Sequence, residues 1–213
     1  MTHKNALDTI AGIAHEPKAE PHGVAMLTHG AGGSRDSPLL QQLCDEWARR
    51  GWLAVRYDLP FRRRRAKGPP SGSAAADQAG VIEAIDLART LADGPVVAGG
   101  HSYGGRMTSM AVAEHAVDVS PDISVLTLFS YPLHPPGKPE SLRAEHLPGI
   151  TVPTVFVHGT SDPFGTPTEL AISAALIPAP TEIVEIIGAR HDLGSKKLDV
   201  AALAVDGALR LLP

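Results

Sequence analysis

Gly100-His101-Ser102-Tyr103-Gly104 sets a serine between two glycines, directly after the apolar run Pro95-Val96-Val97-Ala98. A helix-like segment follows from Gly105. A G-x-S-x-G stretch between a strand and a helix forces a sharp reversal, in which side chains beside the serine crowd the backbone. Glycine at 100 and 104 removes those clashes. Ser102 is then expected in a sparsely populated backbone region, at a cost of about 1–3 kcal/mol. Its hydroxyl would stand at a helix N-terminus, where the dipole favours developing negative charge. An uncharged hydroxyl is a poor nucleophile and needs a base. The base needs an orienting acid, and the transition state needs N–H donors.

The chain offers these groups in the order serine, acid, histidine: Ser102, Asp162, His191. His191 is one of ten histidines and is singled out by its place, in Gly188-Ala189-Arg190-His191-Asp192 after the last expected strand. Asp162 lies in His158-Gly159-Thr160-Ser161-Asp162-Pro163, which also reads as an ordinary Asp-Pro turn. Two exclusions favour it as the acid. The segment after strand 123–129 has no carboxylate until Glu140, and Asp192 adjoins His191, so their side chains would tend to diverge. The glycine-rich stretch His29-Gly30-Ala31-Gly32-Gly33 suits an oxyanion loop. The donors assigned are the backbone N–H groups of Ala31 and Tyr103. A Rossmann fingerprint would want glycine where Arg35 stands, and no Gly-Lys-Ser/Thr exists for a phosphate loop.

The substrate-binding candidates are Gly30, His101, Tyr131, Leu133, His134 and Phe164. Tyr131-Pro132-Leu133-His134-Pro135-Pro136-Gly137-Lys138-Pro139 leaves the C-terminal edge of a strand, where open α/β sheets bind ligands, and reads as a pocket wall or as plain packing. Arg62-Arg63-Arg64-Arg65-Ala66-Lys67 reads first as a solvated loop and second as an anion-binding rim. No His, Cys and carboxylate spacing suggests a metal, and the chemistry calls for no cofactor.

The elements that must position these groups alternate. Strands are expected at 24–28, 52–57, 95–99, 123–129, 154–158 and 182–187. Ser37-Pro38 opens a helix that Gly51 stops. Ala74 to Ala92 is helical, and a further helix runs from the serine turn to about Ala116. Thr166-Pro167-Thr168-Glu169 is a capping box, and Ser195 is expected to cap a final helix with Leu198, Ala202, Val205 and Leu209 inward. Segments 58–73 and 131–152 are expected as loops. Apolar strands alternating with helices argue for a mostly parallel sheet covered on both faces, in a single α/β domain spanning 1–213 without a cap.

Composition agrees. The chain has 213 residues, a net charge of -4 and one cysteine, Cys44, so no internal disulfide can form. No nucleic-acid partner is expected of an acidic chain. The first residues lack the apolar core of a signal peptide, and no run approaches the roughly eighteen apolar residues of a membrane span. A cytoplasmic protein without membrane attachment is expected, and the sequence leaves its oligomeric state open.

On these motifs the chain resembles the α/β-hydrolase superfamily, and more narrowly its compact, cap-less branch related to dienelactone hydrolases. The stretches 131–139 and His158-Gly159-Thr160-Ser161-Asp162-Pro163-Phe164 carry the narrower likeness. The resemblance implies a Ser102/Asp162/His191 triad and a carboxylic-ester hydrolase. Ser102 stands where dienelactone hydrolases proper use cysteine. The expected activity is hydrolysis of esters or thioesters of small acids through an acyl-enzyme. The rival readings are a binding or scaffold protein on the same fold, and acyl transfer by the same triad.

Overall fold

The apolar runs of the sequence become strands, those at the centre of the sheet buried along nearly their whole length, while the segments between them carry helical spacing and caps. The computed structural model describes residues 3–71, 73–115 and 123–213. Its seven strands are β1 (Ile13–His15), β2 (Val24–Thr28), β3 (Leu53–Tyr57), β4 (Val96–His101), β5 (Val125–Phe129), β6 (Thr154–Gly159) and β7 (Thr181–Ile186). They form one sheet in the order β1-β3-β2-β4-β5-β6-β7. Only β1 runs antiparallel, against β3; all other neighbours are parallel. The helices are α1 (His3–Thr9), α2 (Pro38–Arg49), α3 (Pro60–Arg64), α4 (Ala74–Leu91), α5 (Tyr103–Glu114), α6 (Pro167–Ala174) and α7 (Val200–Leu211).

Alternation of side chains along each strand sends neighbours to opposite faces. Met26, Ala98, Leu126, Leu128 and Phe156 pack with α4 and α5 through Val81, Ile85, Met107 and Ala111. Leu27, Val97, Val125 and Val155 pack on the other face with α2 and α7 through Leu43, Trp47, Ala204 and Val205. Each such large side chain, fully buried, contributes about 1.5–3 kcal/mol. The sheet is thus closed on both faces, and its strand ends carry the loops of the site.

Four expectations change. Segment 58–73 is not all loop: Pro60 starts the short helix α3, as proline suits a first helical position. The last helix begins at Val200, capped by the Asp199 carboxylate, which accepts from the Ala202 N–H at 3.0 Å. Ser195 instead closes a local turn, accepting from the N–H groups of Lys197 and Leu198. The buried face of α7 is Val200, Ala201, Ala204, Val205 and Ala208, while Leu198 precedes the helix and is exposed. Finally, α1 and β1 precede the first expected strand; three residues of β1 were too short to show a period. The expected helix end at Ala116 lies outside the described residues.

Candidate active site

The turn between β4 and α5 holds Ser102 at φ 51° and ψ −116°, the strained conformation expected of a strand-to-helix reversal. Crowding explains its glycines. A Cβ on Gly104 would sit 2.4 Å from the His29 carbonyl oxygen, and one on Gly100 would sit 2.8 Å from the Gly104 carbonyl carbon. The Ser102 N–H donates to the Phe129 carbonyl at 2.8 Å, fixing the turn to the end of β5.

The Ser102 hydroxyl donates to His191 Nε2 at 2.7 Å. His191 Nδ1 lies 2.8 Å from Asp162 Oδ2 and 3.1 Å from Oδ1. A carboxylate only accepts, so Nδ1 carries the proton and Nε2 is the bare nitrogen facing the serine. Asp162 is buried. Burial alone would push its carboxyl up, but the His191 hydrogen bond, the Phe164 N–H on Oδ1 and the nearby His158 hold it below the usual carboxylate range. Asp192 is exposed and accepts from the Gly194 N–H at 3.1 Å, pointing elsewhere as its adjacency to His191 suggested.

The two loops that carry the acid and the histidine are stitched together. The Gly188 N–H donates to Thr160 Oγ1 at 2.8 Å, and the Ser161 N–H to the Ala189 carbonyl at 2.9 Å. The imidazole of His191 is flanked by the Phe164 ring at 4.2 Å and the His101 ring at 5.4 Å. His101 donates from Nε2 to the His191 carbonyl at 2.8 Å, which sets the backbone of that loop. Burial lowers the pKa of His101, against the opposing pull of that bond.

The glycine-rich loop passes directly beside the serine. A Cβ on Gly30 would lie 3.4 Å from Ser102 Cβ and 2.9 Å from His101 Nδ1. The Gly30 carbonyl accepts from the Gly33 N–H at 3.1 Å and from His29 Nδ1 at 2.9 Å. A trans peptide then turns the Ala31 N–H to the opposite side. Tyr103 is the first residue of α5, so its N–H has no acceptor within the helix. Its hydroxyl donates to Asp77 Oδ2 at 2.8 Å, and Asp77 Oδ1 accepts from the Phe61 N–H at 3.0 Å. Burial and the Asp77 carboxylate raise the Tyr103 pKa, keeping the phenol protonated as donor.

One residue of the loop's support escaped the sequence. Arg62 is buried, contrary to a solvated run, and its fork is spent on backbone carbonyls. Nε donates to Gly33 at 2.7 Å, and Nη2 to Ala31 at 3.0 Å and Gly68 at 3.1 Å. Arg63 pairs with Glu83 at 3.0 Å. Arg64, Arg65 and Lys67 are exposed as expected of a charged loop. Charge is legible in sequence, but the direction of a side chain on a five-residue helix is not.

Tyr131 and Leu133 are corrected as well. Both are fully buried in the core layer with α5, so they offer no surface to a ligand. The Tyr131 hydroxyl donates to the Arg143 carbonyl at 2.6 Å, and burial raises its pKa to about 12. His134 is buried, donating from Nδ1 to the Pro135 carbonyl at 2.9 Å, with Nε2 3.6 Å from the Glu169 carboxylate. Of the six binding candidates, Gly30, His101 and Phe164 stand around Ser102 and His191. A cleft of about 840 Å³ opens on the far side of His101, between α2 and segment 192–201; it includes neither Ser102 nor His191. Among the described residues, no group of three or more His, Cys, Asp or Glu side chains could hold a metal ion, and no helix is long and apolar enough to cross a membrane.

A mostly parallel sheet between two helical layers, its strand-to-helix turn presenting a strained serine to a histidine and an acid from later strand ends, defines the α/β-hydrolase class. The family model described as an alpha/beta hydrolase domain matches residues 21–204, and the chain belongs to that family. Solved structures share the fold. Est1E from Butyrivibrio proteoclasticus, with ferulic acid bound, superposes with a TM-score of 0.74 at 16% identity, covering 94% of each chain. A dienelactone hydrolase from Anabaena variabilis gives 0.72 at 20%, covering 95% of this chain and 92% of the other. An α/β serine hydrolase without lid from Xanthomonas campestris gives 0.71 at 17%, covering 95% and 89%.

Proposed function

We propose that the chain is a serine hydrolase of esters or thioesters of small acids. The observation that carries this reading is the continuous hydrogen-bond chain Ser102–His191–Asp162, 2.7 Å and 2.8 Å long, on a strained turn. In this mechanism Ser102 Oγ attacks the substrate carbonyl carbon while its proton passes to His191 Nε2. Asp162 holds the imidazole in the reactive tautomer and favours the imidazolium as it forms. The oxyanion accepts from the N–H groups of Ala31 and Tyr103. Such a donor is worth about 3–4 kcal/mol in the transition state. Collapse returns the proton to the leaving group and leaves an acyl-serine, which water cleaves by the same steps. The names of structural neighbours, an esterase from Thermogutta terrifontis and a dienelactone hydrolase from Anabaena variabilis, support a carboxylic ester as the bond cleaved.

A fluorophosphonate probe read by intact mass tests this. One adduct on the native protein and none on Ser102→Ala is expected. No adduct on either protein, with no turnover of small aryl esters, returns the chain to a binding role on the same fold.

A further inference from the structure

We propose that Arg106 and Arg143 form a subsite for a carboxylate carried by the substrate, one helical turn from Ser102. The proposal rests on the hydrolase reading above and names the substrate class for it. Arg106 follows the serine by one turn of α5, and the Arg106 N–H donates to the Ser102 carbonyl at 2.9 Å. Its side chain is half-buried; Nε is sealed from solvent with no hydrogen-bond partner. No acidic side chain among the described residues is paired with Arg106, and none with Arg143. Unlike Arg62, whose donors are spent on carbonyls, Arg106 is a guanidinium in want of an acceptor.

The segment after β5 brings the second cation to this place. Ser109 Oγ donates to the Arg106 carbonyl at 2.9 Å and accepts from His146 Nε2 at 2.8 Å, fastening 143–147 to α5. Arg143 is held there by the Tyr131 hydroxyl on its carbonyl, and its Nη1 donates to the Pro132 carbonyl at 3.2 Å. Burial and the Arg106 charge lower the Arg143 pKa, and the same two causes push His146 down to about 4. Glu145, the acid in this neighbourhood, is exposed and bridges to neither arginine. Two half-buried cations thus stand on α5 and on the segment that the Ser109–His146 bond fastens to it.

Geometry connects these two arginines to the reaction. Helical side chains lean toward the N-terminus, which directs Arg106 back toward the serine turn. The backbone bond from Arg106 to the Ser102 carbonyl sets the two residues one turn apart, which would bring an anion held by Arg106 onto the acyl or leaving side of a bound ester. A guanidinium takes a carboxylate in a two-bond fork, and binding energy from such a remote group can position the ester for attack.

Matched ester pairs test this at low salt: 4-nitrophenyl hydrogen succinate against its methyl ester, with charge on the acyl side, and 4-carboxyphenyl acetate against its methyl ester, with charge on the leaving side. The readout is the charged-to-neutral ratio of kcat/KM within one protein, which cancels any change in folded fraction. A ratio above about 10 for one pair is expected, falling at least about tenfold in Arg106→Gln and recovering in part in Arg106→Lys. The pair that responds tells which side of the ester carries the anion. A ratio that Arg106→Gln leaves unchanged in both pairs overturns the subsite. If the native protein cleaves none of the four esters, the hydrolase reading is what fails. Calorimetry of monomethyl succinate on Ser102→Ala then decides the subsite by itself. Binding that Ser102→Ala/Arg106→Gln loses upholds it, and no binding ends it.

Discussion

The guanidinium of Arg62 donates to the carbonyl of Ala31 at 3.0 Å across a separation of 31 residues, joining the helix after β3 to the loop beside Ser102. With its bond to Gly33 it holds both ends of the segment whose N–H group is assigned to the oxyanion. Lysine has the charge but not the planar fork, and cannot span several carbonyls at once.

Arg62→Lys is therefore expected to lower kcat on a neutral aryl ester by at least about tenfold and to destabilise the fold by about 1–3 kcal/mol, since buried carbonyls lose their donor. Exposed Arg64 and Arg65 changed to Gln should alter neither. Steady-state kinetics beside urea melts separate the two effects; native kcat in folded Arg62→Lys would remove the arginine from the support of the site.

Ser102→Ala is expected to cut turnover by a factor on the order of 10⁴–10⁶, with the fold retained. Alanine inherits the positive φ, so it relieves no strain. Ser102→Gly should be the more stable of the two by about 1–2 kcal/mol, because glycine adopts φ 51° freely. Equal melting midpoints for the two variants would show that the turn is not strained.

Asp162→Asn is expected to lose about 10²–10⁴ in kcat, less than His191→Ala, because the acid orients the base and does not itself take the proton. Asp192→Asn, whose carboxylate is exposed on another path, should turn over normally. The reverse order of effects would move the acid role to Asp192.

Acid should destabilise the protein through His146. Its folded pKa, about 4, lies below the unfolded value of 6.5, so its contribution is fully present above pH 6.5 and is lost as the pH falls toward 4. Part of this histidine is open to solvent, so the loss is on the order of 1–2 kcal/mol after screening. His146→Gln should flatten the stability curve across that window. An unchanged slope between pH 6.5 and 4 would assign the acid sensitivity to other groups, such as His101, whose pKa burial also lowers.

Much of this protein is determined locally and so is legible in its sequence. Gly100 and Gly104 around Ser102 mark the turn because only a missing Cβ fits beside the backbone there. Thr166 and Glu169 form the expected capping box because its partners lie three residues apart. The strand and helix alternation follows from burial periods that span single elements. Asp162 and His191 were legible as candidates from their places after strands. Their approach to one another across 29 residues, and to Ser102 across 89, is a property of the sheet order alone. The tertiary structure decided every residue whose role depends on direction. Arg62 turned inward from a charge run that reads as solvated, and Tyr131 and Leu133 turned into the core from a stretch that reads as a pocket wall. Residue type and spacing state what a side chain can do; which carbonyl or apolar layer it meets is set by contacts distant in the chain, and these exist only once the layers have packed.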